Sequence, residues 1–408
     1  MAFDFPASPV IGQSTQGYVW DGQKWGKPSR GDAHVAATPP ASPLAGDLWW
    51  NSSTGVMYVW SGTVWAVVSD PGGVFTGAAG VDAYAYSGMQ VNGSMEVSQQ
   101  YGTTAQTAGG PVIDGWEHTY SGGMVLSSAT SPSPIIAGIS STLFTTIPTA
   151  KLTLGVGDYA IWIHKIEGYR MARLGWGYST AKSVTICFWT AHARTGTFSG
   201  VVRNASVTRS RAFTYTQNVA GTAEYKTVTI PGCTDGTWNT TNGVGMSIVF
   251  SMGAYSTLLA PTTTQWYSTN YLGAVGQVNA VASTADVFRI SGLLVLPGTQ
   301  APTAAQSPFA MRPYGQELET CQRYFQKWNP FLVSGYNSAG TFVYAAVPLV
   351  PPMRASPAIA YGGPVYSNAS AFATTGTSSS SVFRPQITIT ALGYGYGVAN
   401  IELDARLP

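Results

Sequence analysis

The chain has 408 residues, and Lys, Arg, Asp and Glu make up only 9% of it, against about 25% in an ordinary soluble domain. Net charge is +2, aromatic residues reach 12%, and the sequence carries 47 Gly and 25 Pro. So few charges leave no basic face for nucleic-acid phosphates. The hydrophobicity is too high for a disordered chain, and no apolar run is long enough for membrane insertion as a helix.

The opening residues, Met1-Ala2-Phe3-Asp4-Phe5-Pro6, lack the charged and apolar regions of a secretory signal. An internal repeat follows. Pro6-Ala7-Ser8-Pro9-Val10-Ile11-Gly12 returns as Pro40-Ala41-Ser42-Pro43-Leu44-Ala45-Gly46. Tyr18-Val19-Trp20-Asp21-Gly22-Gln23-Lys24-Trp25 returns as Tyr58-Val59-Trp60-Ser61-Gly62-Thr63-Val64-Trp65. Tyr-Val-Trp reads as a strand, x-Gly as a turn and the closing Trp as the start of a return strand. An insertion around Trp49-Trp50 accounts for the different spacing of heads and tails, with a further turn at 51–55. Isolated hairpins are marginal in water. Trp20, Trp25, Trp49, Trp50, Trp60 and Trp65 therefore either cover one another or anchor residues 1–69 to a larger assembly.

A Gly- and Pro-rich linker is expected over 70–80. Residues 81–312 have the rhythm of a β-sandwich, with short apolar strands between Gly-, Asn-, Thr- and Ser-rich turns. Val244, Met246, Ile248, Phe250 and Met252 alternate with Gly245, Ser247, Val249 and Ser251, which predicts a strand with one core face. Segments 158–166, 184–189, 225–230 and 287–296 read similarly. One helix is expected within 313–329. Leu318, Cys321, Phe325 and Trp328 fall on one helical face, Pro313 leads in and Asn329-Pro330 ends it. Residues 330–408 read as a C-terminal β tip, with 378–381 as a flexible turn and Gly393-Tyr394-Gly395-Tyr396-Gly397 as a loop. The fold class is mainly β.

Catalytic signals are few. His34, His118, His164 and His192 show no metal-type spacing, and His164 sits mid-strand. Glu117-His118 near Asp114 is the most polar local cluster; it reads as turn chemistry, with an acid–base pair as the alternative. Cys187, Cys233 and Cys321 lie far apart and are expected as buried thiols. No enzyme activity, metal or cofactor is expected. Binding chemistry is better supported, because aromatic faces stack on the apolar C–H faces of sugars. Tyr394 and Tyr396, flanked by glycines, and Tyr361 and Tyr366, around Gly362-Gly363-Pro364, are the glycan-binding candidates.

Two stretches carry a family resemblance. One runs Phe288-Arg289-Ile290-Ser291-Gly292-Leu293-Leu294-Val295-Leu296-Pro297-Gly298. The other runs Ser307-Pro308-Phe309-Ala310-Met311-Arg312, then Glu317-Leu318-Glu319-Thr320-Cys321-Gln322-Arg323-Tyr324-Phe325. They resemble the F-x-I-T-G-V-Q-L-E-x-G and T-P-F-E-x-R…E-L-x-x-C-Q-R-Y-Y pattern of phage tail fibre and receptor-binding virion proteins. Asn92-Gly93-Ser94-Met95-Glu96-Val97-Ser98-Gln99 and Ile166-Glu167-Gly168-Tyr169 resemble the same family's carbohydrate-binding-like jelly roll. Met353-Arg354-Ala355-Ser356-Pro357 resembles the β tip that often follows. Two departures remove acids: Leu294-Val295-Leu296 stands where the family has Q-L-E, and Ala310 where it has Glu.

The resemblance implies a homotrimeric virion fibre of the tail, head or collar, assembled in the host cytoplasm. Its N-terminal region would contact other virion proteins, and the trimer would bind host cell-surface polysaccharide. A purely structural decoration fibre and a glycan depolymerase are the rival readings.

Overall fold

A computed structural model describes residues 5–11, 13–15, 18–20, 22–26, 33–69, 88–374 and 378–408. The chain divides into two compact units, Met1–Gly80 and Val81–Pro408. The expected linker at 70–80 lies outside the described residues. The described residues are mainly β.

In the first unit, β1 (Ser14–Thr15), β2 (Tyr18–Trp20) and β3 (Trp25–Gly26) make one small sheet. Strands β4 (His34–Ala36), β5 (Leu48–Asn51), β6 (Val56–Trp60) and β7 (Trp65–Ser69) make another. Trp20 pairs with Trp25 across β2–β3, rings 5.6 Å apart and tilted 53°. Trp60 pairs with Trp65 across β6–β7, at 5.4 Å and 57°. Gly22 and Gly62 take φ of 100° and 103° in the two turns, a conformation that favours glycine.

The same three hydrogen bonds recur in the two heads. Val10 N–H donates to Gln13 Oε1, Gln13 N–H returns to Val10 O, and Trp20 N–H donates to Gln13 O. Leu44 N–H donates to Asp47 Oδ2, Asp47 N–H to Leu44 O, and Trp60 N–H to Asp47 O.

The second unit opens with an antiparallel sandwich. Its strands are β8 (Gly110–Ile113), β9 (Trp116–Tyr120), β10 (Val125–Ser131), β11 (Thr142–Thr149), β12 (Tyr159–Glu167), β13 (Val184–Thr190), β14 (Gly196–Arg203), β15 (Ser210–Gln217), β16 (Glu224–Ile230) and β17 (Val244–Ala254). The short β18 (Leu259–Ala260) and β19 (Gly273–Ala274) precede the closing β20 (Val287–Pro297). A one-turn helix, α1 (Gly168–Met171), follows β12. One sheet runs β10-β11-β20-β13-β16 and the other β15-β14-β17-β12-β9-β8. Trp162, Phe188, Phe198, Phe250 and Phe288 fill the space between them. Burying such side chains contributes about 1.5–3 kcal/mol each.

Strand β17 departs from the single core face its alternation predicts, being buried along its whole length. Its second face carries Val249 and is covered by the segment bearing Leu272 and the β19 residue Ala274. Local periodicity could not reveal that cover, because it is supplied by a segment beyond the strand.

The predicted helix is also corrected. Helix α2 covers Tyr314–Gln322, and the chain re-enters as strand β21 (Phe325–Asn337). Phe325 and Trp328 belong to that strand, paired with Asp404 and Ile401 of the C-terminal strand. A ladder partner about 75 residues downstream supplies what the helix would have supplied locally. Asn329-Pro330, a cis peptide, marks a bulge inside the strand rather than a helix end.

The tip is built from β21, β22 (Phe342–Tyr344), β23 (Val347–Pro348), β24 (Ala358–Ser367), β25 (Ala369–Thr374), β26 (Val382–Phe383), β27 (Pro385–Ile389) and β28 (Gly393–Asp404). Sheet β21-β28-β24 packs on sheet β22-β27-β25 through Phe331, Val333, Ile387 and Ile389. The expected loop 393–397 is therefore the first half of β28. The serines of 378–381 are held rather than loose: Ser378 Oγ accepts Arg384 N–H, and Ser380 O accepts Met353 N–H.

Candidate binding surfaces and the motif that braces them

Tyr394 and Tyr396 project from the outer face of β28, 60% and 37% exposed. Their flanking glycines face inward because the second tip sheet lies close. A Cβ on Gly395 would collide with the Asn368 carbonyl, and one on Gly397 would lie 2.9 Å from Ile387. Tyr336 of β21 sits directly opposite Tyr394 and is 70% exposed. Ser334 and Ser367 flank Tyr396 on the neighbouring strands. Between residues 329 and 401 the sequence has only two charged residues, Arg354 and Arg384. The result is a tyrosine face that presents π surfaces and hydroxyls without charge. Tyr336 escaped the sequence reading because only strand pairing brings it beside Tyr394.

Tyr361 and Tyr366 are not part of that face. Tyr361 stacks on Phe372 at 5.1 Å and 15°, and its hydroxyl donates to Ala373 O. Tyr366 packs on the same ring, its hydroxyl accepting Phe372 N–H. Both brace the tip interior.

In the first unit, Trp49 is buried, and its indole N–H donates to Ala36 O. Trp20, Trp25, Trp50, Trp60 and Trp65 are half-buried. Exposure falls instead on aliphatic residues, with Val10 at 72% and Leu44 at 67%.

The polar candidates in the sandwich each have partners within the chain. His118 is held by Ser128 Oγ and Ala108 O, and burial lowers its pKa. His164 meets Gly115 O and Val91 N–H, and burial lowers its pKa to about 4. His192 stacks on Phe288 at 3.9 Å, again with its pKa lowered by burial. Glu117 pairs with Lys165 at 2.9 Å. Asp114 is buried and accepts the backbone and side-chain N–H groups of Gln99. The three cysteines are buried and unpaired. Among the described residues, no group of three or more His, Cys, Asp or Glu is placed to hold a metal.

The motif residues meet at one junction. Arg312 Nη1 pairs with Glu317 Oε2 at 3.0 Å and donates to Gln90 O, while Nη2 donates to Gly88 O. Glu317 Oε1 also accepts Asn92 N–H at 2.6 Å. Arg323 forms a bidentate pair with Glu167 (2.6 and 2.9 Å), and Tyr324 Oη donates to the same carboxylate. Cys321 packs with Val91, Val97 and Tyr324. Arg354 donates to the carbonyls of Ala405, Asn242 and Arg406, tying the tip to the sandwich. The two departures, Leu296 and Ala310, lie in one buried apolar cluster with Cys187 and Leu294.

No protein-family model and no curated protein matches the chain. Solved structures that match include the enzymatically active domain of tailspike protein 4 of bacteriophage CBA120. It is 12% identical, with a TM-score of 0.29, over 52% of this chain and 22% of that one. Another is the family 11 carbohydrate-binding module of the cellulosomal cellulase Lic26A-Cel5E of Clostridium thermocellum (12%, TM-score 0.24, 49% and 99%). A third is the α-L-arabinofuranosidase MgGH51 (11%, TM-score 0.26, 58% and 32%). These likenesses are distant and reach carbohydrate-binding and carbohydrate-cleaving proteins alike.

Proposed function

We propose that this chain is a non-catalytic phage fibre protein. Residues 1–69 join it to the particle, a jelly-roll sandwich forms its body, and its tip adsorbs to neutral host-surface polysaccharide. The observation that carries this reading is the uncharged face of Tyr336, Tyr394 and Tyr396. Rings of that kind bind pyranose faces without demanding a charged partner. A homotrimer fits the low charge of the chain, since obligate interfaces resemble domain cores. Three weak sites then gain avidity from simultaneous engagement. Three unpaired thiols fit assembly in a host cytoplasm.

The test is binding of the purified full chain to a panel of bacterial surface polysaccharides. At about 1 kcal/mol per ring, changing Tyr336, Tyr394 and Tyr396 to Ala is expected to weaken binding about 100-fold. Melting should stay unchanged. Failure of the native chain to bind any member of the panel would sink the receptor reading in favour of a structural fibre. Shortening of the polysaccharide during incubation would overturn the non-catalytic reading. Light scattering near 42.9 kDa would refute the trimer.

The two N-terminal heads are read as copies of one docking module that present Val10 and Leu44 alike. Val10→Asp with Leu44→Asp is expected to abolish incorporation into particles, as deleting 1–69 would. The Trp20–Trp25 and Trp60–Trp65 pairs should still fold, giving an unchanged near-ultraviolet circular dichroism signal. Normal incorporation of the double variant would remove these residues from the anchor.

A further inference from the structure

A second site lies in the sandwich. A cleft of about 260 Å³ is lined by Glu96, Ser98, Gln99, Thr103, Thr130 and Tyr314, among others, with no Lys, Arg or His in its wall. Tyr314, the first residue of α2, is 55% exposed and offers a ring face. Glu96 accepts one hydrogen bond, from Ser140 Oγ at 2.6 Å. Ser98, Gln99, Thr103 and Thr130 are neutral polar residues of the same wall.

We infer that this cleft binds one neutral sugar residue. The chemistry on offer is specific. Glu96 supplies carboxylate lone pairs that need donors, and a vicinal pair of sugar hydroxyls supplies them. The Tyr314 ring meets the apolar C–H face of the pyranose. A carboxylate without a cation in the cleft wall repels anionic sugars. A single carboxylate is also too few ligands for a calcium ion, which takes 6–8 oxygens. The site is separate from the tip face and stands whether or not that face binds glycan.

Saturation-transfer NMR on the full-length protein tests it. The probes are the methyl glycosides of glucose, galactose, mannose and N-acetylglucosamine, with glucuronic acid as the anionic control. At least one neutral sugar is expected to receive saturation and glucuronic acid none. Glu96→Gln and Tyr314→Ala should each weaken binding about tenfold or more, while Tyr314→Phe keeps it. The Tyr336/Tyr394/Tyr396 triple variant should retain the signal. A loss confined to the triple variant would place the sugar on the tip and overturn the cleft. So would the absence of saturation on every neutral sugar, equal saturation of glucuronic acid, or wild-type binding by folded Glu96→Gln.

Discussion

Glu317→Ala is expected to cost residues 81–408 about 3–5 kcal/mol, the usual penalty for leaving one partner of a buried ion pair uncompensated. Arg312 and Glu317 are both buried, their side chains 8% and 2% accessible. Removing the carboxylate strands the guanidinium and also frees the Asn92 N–H that Glu317 accepts. The midpoint of urea unfolding should fall with little change in slope. Arg312→Met combined with Glu317→Leu should recover much of the loss, because an apolar pair of similar volume does not carry the desolvation penalty. A loss below about 1 kcal/mol for Glu317→Ala would show that water reaches Arg312 and that the pair is not a brace.

The second large effect depends on pH. Burial raises the Asp114 carboxyl from 3.8 to about 6, against the opposing pull of the Gln99 hydrogen bonds and the Arg406 charge. Between about pH 4 and 6 the folded chain therefore holds a proton that the unfolded chain has released. This site favours folding at low pH and loses that contribution as pH rises through 6. At about 1.4 kcal/mol per unit, the swing is about 3 kcal/mol. Asp114→Asn is expected to remove it. The stability of the variant minus that of the native chain should rise by about this amount from pH 4 to 7. A flat difference curve would show that Asp114 titrates as an ordinary exposed carboxyl. Gln99 also donates to Phe325 O, so the same hydrogen-bond chain reaches the first tip strand.

Both effects fall on the junction where the motif residues meet. The residues that carry the family resemblance, Arg312, Glu317, Cys321, Arg323 and Tyr324, make their contacts within the chain. They clamp α2 onto the start of the sandwich and onto Glu167. The positions that depart from the pattern tell the same story. Leu296 and Ala310 pack together with Cys187, so hydrocarbon fills the place where the family carries two acids. A polar pair there would need internal hydrogen bonds; an apolar pair does not.

Much of the fold was legible locally. Strands β12, β13, β16 and β20 begin and end within about one residue of their sequence-read limits, because short apolar runs bounded by turn residues report a strand directly. The duplicated heads were legible as well, since the repeated Gly and Trp spacing lies in consecutive residues. Readings failed where a distant segment supplied the partner. The helix pattern through Phe325 and Trp328 gave way to pairing with β28, and the Gly393–Gly397 aromatic run became a strand for the same reason.

The sequence by itself determined that this is a mainly β, weakly charged chain with a duplicated Trp-bearing head and buried thiols. Those properties follow from composition and from spacing along a few residues, where propensity and alternation act. Which tyrosines face solvent, which acids lose their counter-ions and which motif residues are braces was decided only in the tertiary structure. Tyr394 and Tyr361 look alike in sequence, each beside glycine. One lies outside the tip and the other stacks within it, because strand register assigns each side chain to a face and register is set across the sheet, by residues tens of positions away.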